Sequence, residues 1–262
     1  MPLQAVESQR LYRQIAEQLR SLIAGGEFAA GSRLPAERDL ARQLGVSRPS
    51  VREALIALEV EGWVEVRVGS GIYIRPQGQP AGPGKTHSHV NGHAPANGHA
   101  NGQAKANGSV ALGAADWGPL ELMRARELVE GEVAALAARH ARKAQIAAMA
   151  SALARMQEAA DAGVIPREGD EAFHAAIAQA CGNEVLRDTV MGYWQARSGP
   201  LFARMSEYFE NPASWTAALA EHEQVLRAIH AHDAQAAREA MHLHLKRAYN
   251  RYSASWRRAN SS

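Results

Sequence analysis

Cysteine is almost absent from this chain of 262 residues. Cys181 is the only one, so no disulfide can form within the chain, as is typical of proteins kept in a reducing compartment. The sequence also lacks an apolar run long enough for a signal peptide or a membrane span. These absences predict a cytoplasmic protein with no membrane segment.

Charge of one sign is not in excess either, because the net charge is only +2. The chain has just four lysines, yet its arginines are concentrated in one short region. Between residues 33 and 52 five arginines occur against two acidic residues, and they are Arg33, Arg38, Arg42, Arg48 and Arg52. A basic patch on a balanced chain indicates directed contact with phosphates rather than general attraction to polyanions.

Three zones of composition follow one another along the chain. The middle zone, from Gln77 to Ser109, holds seven glycines and four histidines and has no apolar residue larger than Val90. Such a segment cannot bury enough apolar surface to fold, so residues 77–114 are predicted to be a disordered linker rich in Gly, Asn, His and Ala. The zone from 115 to 262 is rich in Ala, Leu, Glu and Arg, which predicts a helical bundle.

The first zone shows the pattern of a helix-turn-helix. A predicted second helix ends at Gly45, a residue suited to a left-handed cap, and Ser47 is placed to cap the N-terminus of a third. The third helix carries Arg48 and Arg52 at i and i+4, opposite its apolar stripe, which predicts that both reach the major groove. After Gly62 the period changes to two, and this predicts a β-hairpin of the size of a wing. An arginine pair alone would more often be a solvated helix face, but this combination favours DNA binding.

The N-terminal zone resembles the DNA-binding domain of the GntR family over residues 8 to 75. The runs that carry the resemblance are Leu34-Pro35-Ala36-Glu37-Arg38, Leu44-Gly45-Val46-Ser47-Arg48, Val51-Arg52-Glu53-Ala54-Leu55 and Glu61-Gly62-Trp63. The resemblance implies that Arg38, Arg48 and Arg52 contact operator DNA. It further implies that Ser47 and Ser50 meet phosphates or bases, and that Gly69 lets the wing approach the minor groove.

Four potential metal ligands fall on the apolar faces of predicted C-terminal helices. Asp170 and His174 lie at i and i+4 on one face, His222 continues an apolar stripe, and His244 shares a stripe with Met241. Each alone is more often a buried, hydrogen-bonded polar residue than a ligand. Together, three imidazoles and a carboxylate predict a site for a divalent metal ion such as Zn²⁺, Ni²⁺ or Mn²⁺.

The C-terminal zone resembles the FadR-type ligand-binding domain, often called FCD. The residues that carry this resemblance are Arg126 with Glu130, Asp170-x-x-Phe173-His174, Gly182-Asn183, Glu221-His222 and Met241-x-x-His244-Leu245. The resemblance implies that Arg126 projects into the metal pocket and clamps an anionic effector. It also implies a small carboxylate effector, such as lactate, pyruvate or a sugar acid, whereas the branch that binds acyl-CoA lacks the metal ligands.

The predicted fold is mostly α, with a winged helix-turn-helix at 1–76, the linker at 77–114 and an all-α, FCD-like helical bundle at 115–262. The predicted function is that of a ligand-responsive transcription regulator, which binds double-stranded operator DNA as a homodimer. A metal-dependent, hydrolase-like enzyme with an accessory DNA-binding domain is the alternative, because a metal at such a site could activate water. A purely architectural DNA-binding protein would not need a polar cavity.

Overall fold

The N-terminal part of the chain is a three-helix unit followed by a hairpin. A computed structural model describes residues 10–67, 70–76 and 117–259, the side chains at 208–209 and 254–259 excepted. Helices α1 (Leu11–Ala24), α2 (Glu37–Leu44) and α3 (Arg48–Val60) precede strands β1 (Val64–Arg67) and β2 (Gly71–Ile74). The two strands pair antiparallel with Val64 opposite Ile74, and we call this hairpin the wing.

The turn between α2 and α3 is formed by the residues that the sequence indicated. Gly45 has a φ of +65° and ends α2 in the left-handed conformation, where a residue with a Cβ would be strained. Ser47 precedes α3, and its hydroxyl accepts a hydrogen bond from the backbone N–H of Ser50 at 3.3 Å. Because α2 and α3 are thus joined by a short turn and pack against each other, with α3 also packed on α1, the predicted helix-turn-helix is confirmed.

The C-terminal part is made only of helices over residues 117–259. Its seven helices are α4 (Pro119–His140), α5 (Lys143–Asp161), α6 (Arg167–Ala180), α7 (Glu184–Arg197), α8 (Pro200–Phe209), α9 (Pro212–His230) and α10 (Ala234–Ala259). The pair α4 and α10 forms the most extensive contact, and α6 and α9 pack beside it around a common core. The predicted mostly α fold is confirmed. No helix within the described ranges combines the length and the apolarity that crossing a bilayer would require.

The two parts touch each other through α3, which packs against α4 and α8. As a result α3 is covered along most of its length, and even its polar residues Arg52, Glu53 and Glu59 are buried. The predicted linker at 77–114 lies outside the described residues, so the division of the chain into three segments remains a prediction.

Candidate functional site

The four predicted metal ligands meet in the interior of the C-terminal bundle. Asp170 and His174 come from α6, His222 from α9 and His244 from α10, and all four are buried. Each offers one ligand atom, and these atoms all lie within 4.8 Å of one another. We call these four residues the histidine cluster. Its donor set and spacing are those of a site for a divalent cation.

Each imidazole of the histidine cluster is held by a hydrogen bond from its Nδ1. His174 Nδ1 donates to Glu130 at 2.5 Å, His222 Nδ1 to the carbonyl of Ala218 at 2.7 Å, and His244 Nδ1 to Glu221 at 2.9 Å. These bonds leave the three Nε2 atoms to face Asp170 and one another. His174 Nε2 is buried and lies 3.5 Å from Asp170 Oδ1 without a hydrogen bond of good geometry, so a further partner at this atom would stabilise it.

The charges around the cluster suit a cation. Burial alone would raise the pKa of Glu130, but Arg126 and His174 lower it to about 2. The pKa of Glu221 is also lowered to about 2, because its histidine and arginine partners outweigh burial. Burial and the neighbouring imidazole lower the pKa of His244 to about 3, so this ring is neutral at pH 7. Burial would lower the pKa of His174, but the neighbouring carboxylate of Glu130 raises it. A metal ion at that ring would therefore compete with a proton.

A pocket opens directly over the histidine cluster. It contains roughly 500 Å³ of space not filled by protein atoms, part of it open to solvent. Its wall includes Asp170, His222 and His244, so the cluster forms one side of the pocket. The wall also includes three arginines, Arg126, Arg197 and Arg251. A metal on one side and guanidinium groups on the other are what an anionic ligand needs.

Arg126 occupies the pocket wall that the sequence predicted for it. Its side chain is 2% exposed, and its Nε donates to Glu130 at 2.6 Å. The guanidinium also lies over the ring of Trp194, 4.6 Å from the ring centroid. Glu130 therefore joins Arg126 to His174, so the predicted anion clamp and a predicted metal ligand share one carboxylate.

The other two arginines of the pocket were missed from the sequence. Arg197 donates to Asp170 at 3.2 Å, and Arg251 donates to Glu221 at 2.9 and 3.0 Å. Arg251 follows His244 by seven residues, which places both on one face of α10, so helical spacing alone could have indicated it. Arg197 ends α7, and nothing in its local sequence relates it to Asp170 on another helix.

On the N-terminal unit, the structure corrects the placement of Arg52. Arg48 and Arg52 were both expected to project from α3 into the groove, and only Arg48 is substantially exposed, at 46% of its side chain. Arg52 is buried because Glu37 of α2 accepts hydrogen bonds from its Nε at 3.0 Å and its Nη2 at 3.1 Å. The same carboxylate accepts from Arg48 Nε at 2.7 Å, so Glu37 holds both arginines.

The remaining predicted DNA contacts are distributed around the start of α3. Arg38 lies on α2 with 77% of its side chain exposed. The hydroxyls of Ser47 and Ser50 lie 2.8 Å apart at the N-terminus of α3, where backbone N–H groups favour a phosphate. Gly69 lies outside the described residues. Ser47, Arg48 and Ser50 thus lie at the start of α3, and Arg38 lies on α2.

Two family models match this chain. The one described as bacterial regulatory proteins, gntR family, matches residues 11–74, and the FCD domain matches residues 121–247. The chain is also 34% identical over 245 residues to the Uxu operon transcriptional regulator of Escherichia coli (strain K12), with 92% of this chain and 86% of that protein covered. The chain belongs to the gntR family. It is a DNA-binding transcription regulator with an FCD domain, and we call residues 117–259 its effector domain and α3 its recognition helix.

Further relatives of this gntR-family regulator are regulators as well. The Exu regulon transcriptional regulator of Escherichia coli (strain K12) is 34% identical over 250 residues, covering 93% of this chain and 85% of that protein. The Uxu operon regulator of Haemophilus influenzae is 31% identical over 241 residues, covering 90% and 80%. These relatives confirm the prediction of a regulator over the alternative of an enzyme.

Proposed function

We propose that this gntR-family regulator senses a small carboxylate, such as an organic acid or a sugar acid, at a divalent metal ion in its effector domain. Asp170, His174, His222 and His244 would hold the ion, which would be Zn²⁺, Ni²⁺ or Mn²⁺. The ion would supply a positive centre with coordination positions open toward the pocket. A regulator of this kind works where the DNA is, which places it in the cytoplasm.

The main support for the proposed metal site is the orientation of the three imidazoles. Metal-binding histidines commonly donate their second ring N–H to a carboxylate or a backbone carbonyl, which fixes the ring. All three histidines of the cluster make such a bond through Nδ1. His174 Nε2 is buried, lies 3.5 Å from Asp170 Oδ1 and makes no closer hydrogen bond, so it is available to act as a ligand.

The charges of the pocket wall support a carboxylate as the effector. Arg126, Arg197 and Arg251 face two wall carboxylates, Asp170 and Glu210. A divalent ion added to this set would make the wall net positive even when Glu130 and Glu221 are counted, and guanidinium groups bind carboxylates in a planar, two-bond geometry. Arg126 and Arg251 are each neutralised in part by a buried glutamate, so the metal would supply much of the attraction.

On the DNA side we propose a homodimer that reads a palindromic operator. A single recognition helix makes few base contacts, and two of them related by a twofold axis match two half-sites. Arg38, Ser47, Arg48 and Ser50 would contact phosphates and bases. By resemblance, Gly69 would let the wing approach the minor groove, and Arg52 would reach DNA only after giving up part of its bonding to Glu37.

Metal analysis of two single variants on α10 tests the proposed function. His244→Ala removes a ligand, and the three that remain cannot complete the shell, so metal content should fall from about one ion per chain to near zero. His242→Ala is the matched control, because His242 is half-buried against Gly131 of α4 and outside the cluster. Equal metal content in the two variants, or none in the wild-type protein, would contradict the proposal.

A further inference from the structure

Two acidic residues of the recognition helix make hydrogen bonds with the effector domain. They are Glu53 and Glu59, and both are buried, at 6% and 5% exposure. Buried carboxylates require partners, and for both residues at least one partner belongs to the effector domain. Neither partner was indicated by the sequence.

Glu53 caps the first helix of the effector domain. Its Oε1 accepts hydrogen bonds from the backbone N–H groups of Leu120 at 2.6 Å and Glu121 at 3.4 Å, in the first turn of α4. The N-cap residue of α4 is Gly118, which has no side chain to offer. A Cβ placed on Gly118 would lie 2.6 Å from Glu53 Oε2, so an alanine at this position would displace the Glu53 carboxylate. The carboxylate thus replaces a missing local cap.

Glu59 joins the wing to helix α8. Its Oε1 accepts from the backbone N–H of Val66 in β1 at 3.1 Å and from Arg204 Nη2 at 2.9 Å. A movement of Arg204 would therefore displace Glu59 Oε1, the same atom that accepts the hydrogen bond from β1.

Both partner helices lead to the pocket. On α4, Met123 and Arg126 line the pocket one and two turns after the capped residues. On α8, Phe202 packs against the ring of Tyr252 with centroids 5.9 Å apart, and Tyr252 lines the pocket. The recognition helix is therefore one contact away from the pocket wall by way of α4 and two contacts away by way of α8.

We propose that Glu53 and Glu59 form a two-point latch that fixes the recognition helix to the effector domain and transmits the state of the pocket to DNA. Two buried carboxylates on one helix define its position relative to the effector domain directly, through contacts between α3, α4 and α8. The latch itself needs only the contacts above, and its role in signalling rests on the proposed function.

The latch can be opened by two substitutions that leave both glutamates in place. Gly118→Ala should displace Glu53, and hydrogen exchange at the Leu120 amide of the full-length protein should accelerate roughly tenfold as its acceptor is lost. Gly192→Ala is the matched control, because this helical glycine has no neighbouring atom within 4 Å of an added Cβ. Arg204→Ala should weaken the second point. The double variant Gly118→Ala/Arg204→Ala should show a larger radius of gyration by small-angle scattering.

The signalling role is tested with Zn²⁺ as the probe and a DNA duplex selected by the wild-type protein from a random pool. The affinity of the wild-type protein for this duplex should change when Zn²⁺ is chelated, and that of the double variant should not, although both bind zinc equally. Unchanged Leu120 exchange in Gly118→Ala would overturn the latch, and a zinc response in the double variant equal to wild type would overturn its role. A wild-type protein that ignores zinc would contradict the proposed function, and Leu120 exchange would still decide the latch.

Discussion

The start of the recognition helix and the wall of the pocket both carry a functional arginine, but they expose it very differently. Arg48 shows 46% of its side chain to solvent, whereas Arg126, in the wall of the pocket, shows 2%. In both places a glutamate orients the functional group: Glu37 holds Arg48, and Glu130 holds Arg126. A large partner such as DNA must meet charges at the surface, while a small ligand can enter a buried site, where the attraction between charges is stronger.

The comparison also indicates whether a substitution should change folding stability or binding affinity. Removing one member of a buried charged set leaves its partners uncompensated, and the cost appears in folding stability. Removing an exposed arginine costs little stability, and the cost appears when the partner binds. Three predictions follow from this difference, in order of decreasing effect.

The largest effect is expected for Glu130→Ala, which leaves Arg126 buried without its carboxylate. The free energy of unfolding should fall by about 3–5 kcal/mol, the usual cost of breaking a buried ion pair. Glu132→Ala, two residues along α4, is the control, because Glu132 is exposed and pairs with Arg238 on the surface. Its cost should be about 1 kcal/mol or less. Denaturant titration of both variants in the presence of a chelator measures the free energy of unfolding. Equal losses of stability in the two variants would contradict the predicted difference between buried and exposed charges.

A smaller effect, in a different quantity, is expected at the recognition helix. Arg48→Ala should weaken binding to a selected duplex by about 1–3 kcal/mol and leave the melting temperature nearly unchanged. Arg52→Ala should also lower the melting temperature, because Arg52 is buried and bonded to Glu37. Arg42→Ala is a control in the same unit, since Arg42 is 72% exposed and pairs with Asp39. Full affinity in both the Arg48 and Arg52 variants at matched salt would show that α3 is not the reading helix.

The smallest effect is expected from a change of pH at the contact between Glu53 and the first turn of α4. Burial raises the pKa of Glu53 to about 7, although the N–H groups of α4 and the charge of Arg52 oppose this, and Glu121 adds to it. Arg10 and Arg124 line the same cleft. A carboxyl whose pKa is raised in the docked state favours docking below its ordinary pKa of 4.5, and this contribution is lost as pH rises through about 7.

The two domains should therefore be held more tightly at pH 6 than at pH 8. Protection of the Leu120 amide, corrected for intrinsic exchange, measures this difference. In Glu53→Gln the side chain cannot titrate, so the pH dependence should disappear. A wild-type protein with the same protection at both pH values would contradict the prediction.

Helical periodicity was enough to predict the inner site but not the charged surfaces. The sequence placed Asp170, His174, His222 and His244 on buried stripes, and buried stripes of neighbouring helices must face one another. Arg52 was assigned to the wrong environment because its partner, Glu37, lies on another helix. Spacing within α3 cannot reveal such a partner.

The contacts between the domains were invisible for a related reason. Glu53 and Glu59 look like ordinary solvent-facing acids of a DNA-binding helix, and their partners lie 67 and 145 residues further along the chain. Only Gly118 gave a local hint, as a small residue immediately before Pro119 where a capping side chain would be usual. Contacts between two domains leave no repeating pattern in the sequence, so a single sequence does not reveal them.

The position of the pocket also has a consequence in time. Three residues of the histidine cluster line the pocket, and His174 lies behind them at 1% exposure. An ion in the cluster would leave toward solvent past Arg126, Arg197 and Arg251, the same space that a carboxylate would fill. A regulator that has bound its effector would then lose its metal slowly, and one that is empty would lose it fast. The lifetime of the ion would record how recently the effector was abundant.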